Sequence, residues 1–314
     1  MMTISECAQW LRGHDDYLIL THVRPDGDTL GSAALLCRML RSLGKTAHIL
    51  KNPETTPKYA PLHQGLTLDK AEQSHTLVCV DTAAPDMLPA AFSHLLGRIQ
   101  LRIDHHASAT AFTPYSLVEP SAGACAEILW DLMAPLGLTL DKPMADALYT
   151  AVSTDTGCFR YANTTAHSFL TAAACAQAGA DLSGINLAMF DTNSLAKLRI
   201  QSWMIANARF CRESRGVVCA IPLSVEKEMG VTQDDMDNIS GYPRTIEGVR
   251  LAATLRELAD GRVKLSLRAL PGYDAGAICA KFGGGGHKGA AGATFAAALA
   301  EAAEKVMAAL EEAL

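Results

Sequence analysis

Short apolar runs alternate with helix-spaced hydrophobic residues along the N-terminal part of the chain. The apolar runs predict buried strands at residues 17–21, 47–50, 76–80 and 95–101. Between them, apolar residues recur three and four positions apart, as they do on a helix face that packs against a sheet. Strands and helices that alternate in this way predict an α/β fold with a doubly wound parallel sheet.

The pattern changes after a mostly polar helix predicted at residues 191–209. The elements predicted beyond this helix are strands at 216–221, 249–255 and 263–270, a hairpin turn at 259–261, and helices at 274–282 and 296–313. We therefore expect three parts, which are a first domain at residues 1–190, a helical linker at 191–209 and a smaller α/β domain at 210–314.

The composition describes a folded protein with room for two domains. The chain has 314 residues, 49% of them hydrophobic, and a mean hydropathy of +0.12. A net charge of −6 argues against a protein that grips many phosphates of a long nucleic acid. The N-terminus lacks a signal-peptide pattern, and no apolar stretch approaches the ~20 residues of a membrane span. Nine scattered cysteines without a Cys-x-x-Cys pair predict reduced thiols in a cytoplasmic protein.

Acidic and imidazole side chains follow three of the predicted strands at their ends, and a further aspartate closes the buried stripe of a helix. Open α/β sheets bind ligands at the carboxyl ends of their strands, and such groups are costly to bury unless they hold an ion. Oxygen and nitrogen donors without a thiolate favour Mn²⁺ or Mg²⁺ over zinc. For the adjacent histidines alone, an exposed loop is the competing interpretation. The candidate ligands are His22, Asp26, Asp28, Asp81, His105 and Asp155.

These residues occur in motifs that resemble a known family. The motifs are His22-x-x-Pro25-Asp26-Gly27-Asp28, Asp81, Asp104-His105-His106 and Asp155-Thr156-Gly157. In order and spacing they are similar to the four motifs of the DHH phosphoesterase superfamily. The run Gly283 to Gly286 followed by His287 resembles the signature of the DHH-associated C-terminal domain. The resemblance covers nearly the whole chain, and the two-domain layout looks most like the nanoRNase/pAp phosphatase branch.

The resemblance implies a site for two Mn²⁺ ions, with Mg²⁺ as the alternative metal. The implied ligands of one ion are His22, Asp26 and Asp81. The implied ligands of the other ion are Asp28, Asp81, His105 and Asp155, so that Asp81 bridges the pair. The resemblance also implies that Asp104 orients His105, and that His106 contacts the substrate phosphate or assists the leaving group.

Substrate binding is assigned by the resemblance mainly to the second domain. The glycine run offers backbone N–H groups that can form an anion-binding nest, with a flexible loop as the alternative. The residues concerned are Gly284, Gly285, Gly286 and His287. Arg268 resembles the family's substrate-binding arginine, with a surface salt bridge as the competing account. Arg160, which follows the Asp155 motif, is either a phosphate ligand or a solvated surface group.

The resemblance implies a phosphoric ester hydrolase whose active site lies in the cleft between the two domains. The expected substrates are short oligoribonucleotides, cleaved to mononucleotides, and 3′-phosphoadenosine 5′-phosphate (pAp), converted to AMP. A soluble phosphodiesterase for linear dinucleotides (pApA or pGpG) or cyclic dinucleotides is the alternative with the same chemistry. Further alternatives are an inorganic pyrophosphatase, a RecJ-like exonuclease and a non-catalytic nucleotide-binding regulator. The family resemblance also suggests a homodimer, and the sequence suggests no membrane partner.

Overall fold

The structure is a computed structural model that describes residues 1–236 and 239–314. The chain separates into two compact units, Met1–Thr192 and Asn193–Leu314. The helix Leu195–Ala206, which lies within the expected linker, buries Ile200 and Met204 in a core of the second unit. This helix is therefore part of the packing of the second unit.

The first unit is built on a sheet of six parallel strands. They are β1 Tyr17–Leu20, β2 Ala47–Leu50, β3 Thr67–Leu68, β4 Thr76–Val80, β5 Ile99–Asp104 and β6 Tyr115–Val118. Their order across the sheet is β3-β2-β1-β4-β5-β6. The order reverses between β1 and β4, and α/β sheets place ligands outside the carboxyl ends of strands at such a reversal. The predicted α/β fold with a parallel sheet is confirmed.

Helices and short helical turns cover the sheet. The helices of the first unit are α1 Ile4–Gly13, α2 Gly27–Ser42, α3 Ala60–His63, α4 Cys125–Leu136, α5 Lys142–Asp155, α6 Ala166–Gln177 and α7 Leu182–Asn186. Shorter 3₁₀ segments span Pro57–Tyr59, Pro85–Met87 and Ala90–Arg98, and a π-helical turn spans Leu187–Asp191. In β4, Val78 and Val80 join the core with α2, α4 and α5, whereas Leu77 and Cys79 join a second core with Phe92. Both faces are buried, which explains the unbroken apolar run of this strand.

Helix α2 approaches α5 closely at two glycines. A Cβ atom at Gly31 would lie 2.6 Å from the carbonyl oxygen of Ala147, and a Cβ at Gly27 would lie 2.2 Å from Oγ1 of Thr154. Any side chain at these positions would push the helices apart, because protein interiors leave no space for such overlap. The close approach brings the end of α5, which carries Asp155, to the start of α2.

The second unit contains a mixed sheet with helices on both sides. Its strands are β7 Arg209–Cys211, β8 Gly216–Ile221, β9 Leu251–Glu257, β10 Arg262–Ala269, β11 Gly285–Gly286 and β12 Ala290–Ala296. Their order is β11-β12-β10-β9-β8-β7, and only the β8–β9 pair among these strands is parallel. Its helices are α8 Leu195–Ala206, α9 Leu223–Glu228, α10 Ala275–Ala280 and α11 Leu299–Ala313, with a 3₁₀ segment at Ile239–Thr245. Val306 and Leu310 of α11 lie in one core, and α8 contributes to the other.

Some elements differ from the sequence expectations. The edge strands β3, β6 and β7 and the helix α9 have too few residues to show a clear hydrophobic period. The C-terminal helix was expected from residue 296, but it begins at Leu299, because residues 290–296 form β12. Alanine and glycine dominate β12, and both residues are weak strand formers. Within the described residues, no helix is both long enough and apolar enough to cross a membrane.

Candidate metal centre

The candidate ligands come from strand ends and helix ends around the β1–β4 reversal. Asp26 is the N-cap of α2, and its Oδ1 accepts hydrogen bonds from the amides of Asp28 and Thr29. The remaining ligands occupy these positions: His22 and Asp81 shortly after β1 and β4, Asp28 in the first turn of α2, His105 directly after β5, and Asp155 at the last position of α5.

The structure brings all six side chains together. One set of ligand atoms within 4.8 Å of one another, the His22 group, comprises His22, Asp26 and Asp81. A second set, the Asp28 group, comprises Asp28, His105 and Asp155. A third such set joins Asp81 to His105 and His106. The grouping follows the division into two ions that the family resemblance implies.

Asp81 lies between the two groups. Its Oδ2 is 3.5 Å from Nε2 of His22, and its Oδ1 is 3.5 Å from Nε2 of His105. The residue is 2% exposed, and the buried Oδ1 accepts no hydrogen bond from the part of the chain that the structure describes. A buried carboxylate oxygen without a partner is costly unless a ligand compensates it. The position of Asp81 suits a carboxylate that bridges two cations.

His22 and His105, the histidines of the His22 and Asp28 groups, present Nε2 to the carboxylates. Nδ1 of His22 lies 2.8 Å from the carbonyl oxygen of Val23, and Nδ1 of His105 lies 3.1 Å from that of Ala122. A carbonyl oxygen only accepts hydrogen bonds, so Nδ1 carries the proton in each ring. The neutral ring then has its lone pair on Nε2, where a metal ion binds.

Crowded carboxylates shift the pKa values of the site. Burial, together with the charges of Asp81 and Asp155, raises the pKa of Asp28 well above its ordinary value. Burial is also the main cause that raises the pKa of Asp155 to about 7. Burial alone would lower the pKa of His105, but the surrounding carboxylates outweigh it and raise that pKa to about 9. Such a cluster shares protons among its members unless cations replace those protons.

The spacing of the donor atoms fits divalent cations. Nε2 of His105 lies 3.7 Å from both Oδ2 of Asp28 and Oδ2 of Asp155. These separations exceed the ~2.8 Å of a charge-assisted hydrogen bond. Ligands that share one ion at ~2.1 Å are separated by about 3 Å or slightly more. The residues present therefore fit a centre of two divalent ions.

The structure corrects the role expected for Asp104. Its Oδ1 accepts a hydrogen bond of 2.8 Å from Nδ1 of His106, whereas the ring of His105 is held by Ala122. Asp104 reaches His105 only through the backbone amide, at 2.9 Å. The bond to the fully buried Asp104 raises the pKa of His106 above its ordinary value. Asp104 therefore orients the His106 ring and not the His105 ring.

Further polar contacts, which the sequence did not predict, hold the candidate ligands. Ser32 Oγ donates to Asp28 Oδ1 at 3.0 Å, a pair whose i to i+4 spacing on α2 is visible in the sequence. Asn163 Nδ2 lies 3.1 Å from Asp155 Oδ2. Backbone amides at the start of α4 reach Asp28 from almost a hundred residues away. No local pattern announces the last two contacts.

Part of the glycine run forms the short strand β11, Gly285–Gly286. Gly285 and Gly286 pair with Gly292 and Ala291, and Gly284 donates its amide to the carbonyl oxygen of Cys279. The amides of Gly283 and His287 also donate to backbone carbonyls, so these N–H groups are not free for an anion. A Cβ at Gly284 would lie 2.1 Å from the Gly292 carbonyl oxygen, which explains why glycine is required there. The amides of Gly283, Gly284 and His287 are therefore occupied, whereas anion binding by the rest of the run stays a prediction.

The two candidate substrate-binding arginines make backbone contacts. Nη1 of Arg268, in β10, donates to the carbonyl oxygen of Leu267 at 3.2 Å. Nε of Arg160 donates to the carbonyl oxygen of Gly157 at 2.6 Å, which stabilises the turn after α5. His287 and Lys288 are exposed at the tip of the β11–β12 hairpin. Substrate contacts of these side chains stay predictions.

A parallel α/β unit with a histidine–aspartate cluster at its strand reversal defines a class of candidate metal-dependent proteins. Residues 16–152 match the model of the DHH family N-terminal domain, and residues 216–314 match that of the DHHA1 domain. The chain is 32% identical over 303 residues to the bifunctional oligoribonuclease and PAP phosphatase NrnA of Thermus thermophilus. That alignment covers 94% of this chain and 89% of the relative. The chain belongs to the DHH family, in its NrnA-like branch.

Two further similarities extend over almost the full length. The protein of the same name from Bacillus subtilis is 24% identical over 294 residues, covering 92% of each chain. The crystal structure of an exopolyphosphatase-related protein from Bacteroides fragilis has a TM-score of 0.89 at 24% identity, covering 98% of this chain and 95% of that one. The second similarity concerns the fold.

Proposed function

We propose that this chain is a metal-dependent phosphoesterase that hydrolyses short oligoribonucleotides to mononucleotides and converts pAp to AMP. One observation carries the proposal. Six candidate ligands, with Asp81 among them, meet in a chain that is similar along 94% of its length to an oligoribonuclease and PAP phosphatase. A cluster with every ligand in place also argues against a non-catalytic regulator.

The His22 and Asp28 groups would each hold one ion, with Asp81 shared between them. Carboxylate and imidazole donors without a thiolate favour Mn²⁺, with Mg²⁺ as the alternative. When bound, the two ions would neutralise charge on a phosphate ester and would favour attack of water on phosphorus. Asp104 and the imidazole of His106 supply the remaining chemistry. With Nδ1 held by Asp104, His106 can contact a phosphate oxygen or give a proton to the leaving oxygen through Nε2.

We also assign substrate contacts to residues of the second unit. Because several glycine amides are already paired, we assign anion contacts to the side chains of His287 and Arg268 and to Gly285, which lies in open space. Gly284 and Gly286 would act by letting the hairpin strands approach closely. So few anion contacts would suit a substrate of a few nucleotides better than a long strand.

The assembly and location of the protein are also part of this proposal. Phe169, Leu170 and Leu187 of the first unit are each more than half exposed, and apolar groups exposed in this way suit an interface between two copies of the chain. Light scattering after size-exclusion chromatography would give the mass of a homodimer. All nine cysteines are free thiols, as expected for a cytoplasmic protein.

The decisive experiment compares four substrates under one set of conditions with Mn²⁺: pAp, pApA, an RNA 3-mer and an RNA 24-mer. We expect strong hydrolysis of pAp and the 3-mer and little of the 24-mer. Efficient processing of the 24-mer would indicate a RecJ-like exonuclease, and hydrolysis of pApA alone would indicate a linear-dinucleotide phosphodiesterase. An Asp81→Asn preparation run in parallel excludes contaminating nucleases.

A further inference from the structure

One backbone segment supports every member of the Asp28 group although it contains no candidate ligand. This 122–126 segment runs from the loop after β6 into α4. The amides of Cys125 and Ala126 donate to the two carboxylate oxygens of Asp28 at 2.6 and 3.2 Å. The Ala122 carbonyl oxygen holds Nδ1 of His105 at 3.1 Å.

Asn163 connects the same segment to Asp155. Its Nδ2 donates to the carbonyl oxygen of Gly123 at 2.9 Å and to Oδ2 of Asp155 at 3.1 Å. A further contact of 3.2 Å reaches the Asp155 backbone carbonyl. One amide group therefore fixes the distance between the 122–126 segment and the carboxylate at the end of α5.

The segment itself is held rigidly. The carboxylate of Glu127, which is fully buried, accepts a hydrogen bond from the Gly123 amide at 2.9 Å. A Cβ at Gly123 would lie 2.7 Å from Oγ of Ser168 and 2.9 Å from the Asn163 carbonyl oxygen, so the backbone is enclosed on several sides. A support with so little freedom can set the positions of the ligands it contacts.

The His22 group depends on other supports. Nδ1 of His22 bonds the Val23 carbonyl oxygen, and Asp26 caps its own helix α2. Asn52, which is buried, donates to the His22 carbonyl oxygen at 2.9 Å and to Oγ1 of Thr21 at 3.0 Å. The supports of His22 thus differ from those of the Asp28 group, although Asp26 and Asp28 share the start of α2 and Asp81 lies between the two groups.

We propose that Asn163 is a positioning residue that sets the ion affinity of the Asp28 group and leaves that of the His22 group unchanged. This inference rests on the proposed function only in that the two groups hold ions. Loss of a partner that orients a ligand typically weakens metal binding by about 10- to 100-fold. Asn163→Asp is the most informative substitution, because it keeps the shape and turns the donating NH₂ into an oxygen that repels Asp155.

The experiment measures Mn²⁺ binding to the full chain by isothermal titration calorimetry after chelator treatment. The wild-type chain should bind two ions, and Asn163→Asp should bind one of them about 10- to 100-fold more weakly with the other unchanged. Asn163→Gln, which retains a donor, should recover part of the loss, and it carries the test if the aspartate variant does not fold. Asn207→Ala is the matched control, because the side-chain amide of Asn207 donates to the Trp203 carbonyl oxygen at 2.9 Å within the second unit. Its isotherm should equal that of the wild type.

Activity gives an independent signature of positioning. The Mn²⁺ concentration for half-maximal hydrolysis should rise in Asn163→Asp, while kcat at saturating Mn²⁺ approaches the wild-type value. The inference would be overturned if Asn163→Asp weakened the binding of both ions equally or of neither ion. It would also be overturned by a loss of kcat that added Mn²⁺ does not restore. A wild-type chain that binds two ions but hydrolyses none of the four substrates would contradict the proposed function and leave this inference standing.

Discussion

At the scale of single residues, Asp81 combines an unusual backbone conformation with a side chain that lies between the two groups of candidate ligands. Its φ of 53° lies in the left-handed region, which costs a non-glycine residue about 1–3 kcal/mol. The backbone amide of Asp81 donates a hydrogen bond of 2.9 Å to the Ile103 carbonyl oxygen, which fixes this turn at the end of β4. Aspartate and asparagine tolerate the conformation better than other non-glycine residues. Asparagine at this position therefore removes the charge and keeps the backbone.

The first prediction concerns Asp81→Asn. We expect loss of binding of both Mn²⁺ ions and a fall in kcat/KM for pAp of more than about 100-fold. Replacing a residue that only hydrogen-bonds a metal ligand already lowers metal affinity or activity by about 10- to 100-fold. Calorimetry and steady-state kinetics measure the two effects. Asp69→Asn is the control, since Asp69 forms an exposed pair with Lys51 at 3.4 Å and should leave both quantities unchanged. Full activity of Asp81→Asn would exclude the bridging role.

At the scale of secondary-structure elements, the contact between α2 and α5 brings together Asp28 and Asp155, two members of the Asp28 group. Asp28 and Asp155 belong to different helices, and their separation depends on how closely those helices pack. Gly31 permits the approach because its missing side chain leaves room for the Ala147 carbonyl oxygen. The obstacle to any side chain there is backbone, which cannot turn away as a long side chain can.

The second prediction follows from this contact. Gly31→Ala should lower the free energy of unfolding by roughly 1–3 kcal/mol, the usual cost of inserting a methyl group into a packed core. Urea denaturation measures the change. Gly13→Ala is the matched control, because nothing lies within 4 Å of a Cβ at that position. The control should be neutral or stabilising by roughly 0.4–1 kcal/mol. An unchanged unfolding midpoint for Gly31→Ala would show that α5 can move away without cost.

At the scale of the whole molecule, the candidate metal centre lies entirely in the unit Met1–Thr192. Its ligands come from three strand ends and two helices that are far apart in sequence. An ion that binds the folded arrangement and not the unfolded chain stabilises the fold by mass action. Mutual repulsion of the carboxylates adds to this dependence when a chelator removes the ions.

The third prediction is that metal occupancy raises the stability of the first unit selectively. An ion at a hundredfold excess over its Kd should raise the Tm of this unit by roughly 5–10 °C. Differential scanning calorimetry with EDTA, and then with added Mn²⁺, measures the shift. Hydrogen exchange should slow at the starts of α2 and α4 and remain unchanged in residues 193–314. A Tm that Mn²⁺ does not alter would contradict the metal centre.

The sequence predicts most of the fold and the candidate ligands that the fold brings together, and the reason is physical. Buried strands such as β1 and β4 are continuous apolar runs, and the polar residues that follow them stand out, as His22 and Asp81 do. Contacts between distant parts of the chain have no such local signal, which is why the amides of α4 that hold Asp28 were missed. The same limit explains the error at Asp104, since only the fold decides which neighbouring ring its carboxylate contacts. In β12, weak strand formers conceal a strand that its partner β10 stabilises.

The N-cap of helix α4 is Ala124, a residue that cannot cap a helix with its own side chain. The carboxylate of Asp28 takes that place and accepts hydrogen bonds from the first amides of α4. In many enzymes, replacing one of several crowded active-site charges makes the protein more stable. Here the same replacement would also uncap a helix, so the usual exchange of activity for stability does not apply at this position. Selection for stability alone would therefore retain Asp28 even in a descendant that had lost its catalytic role.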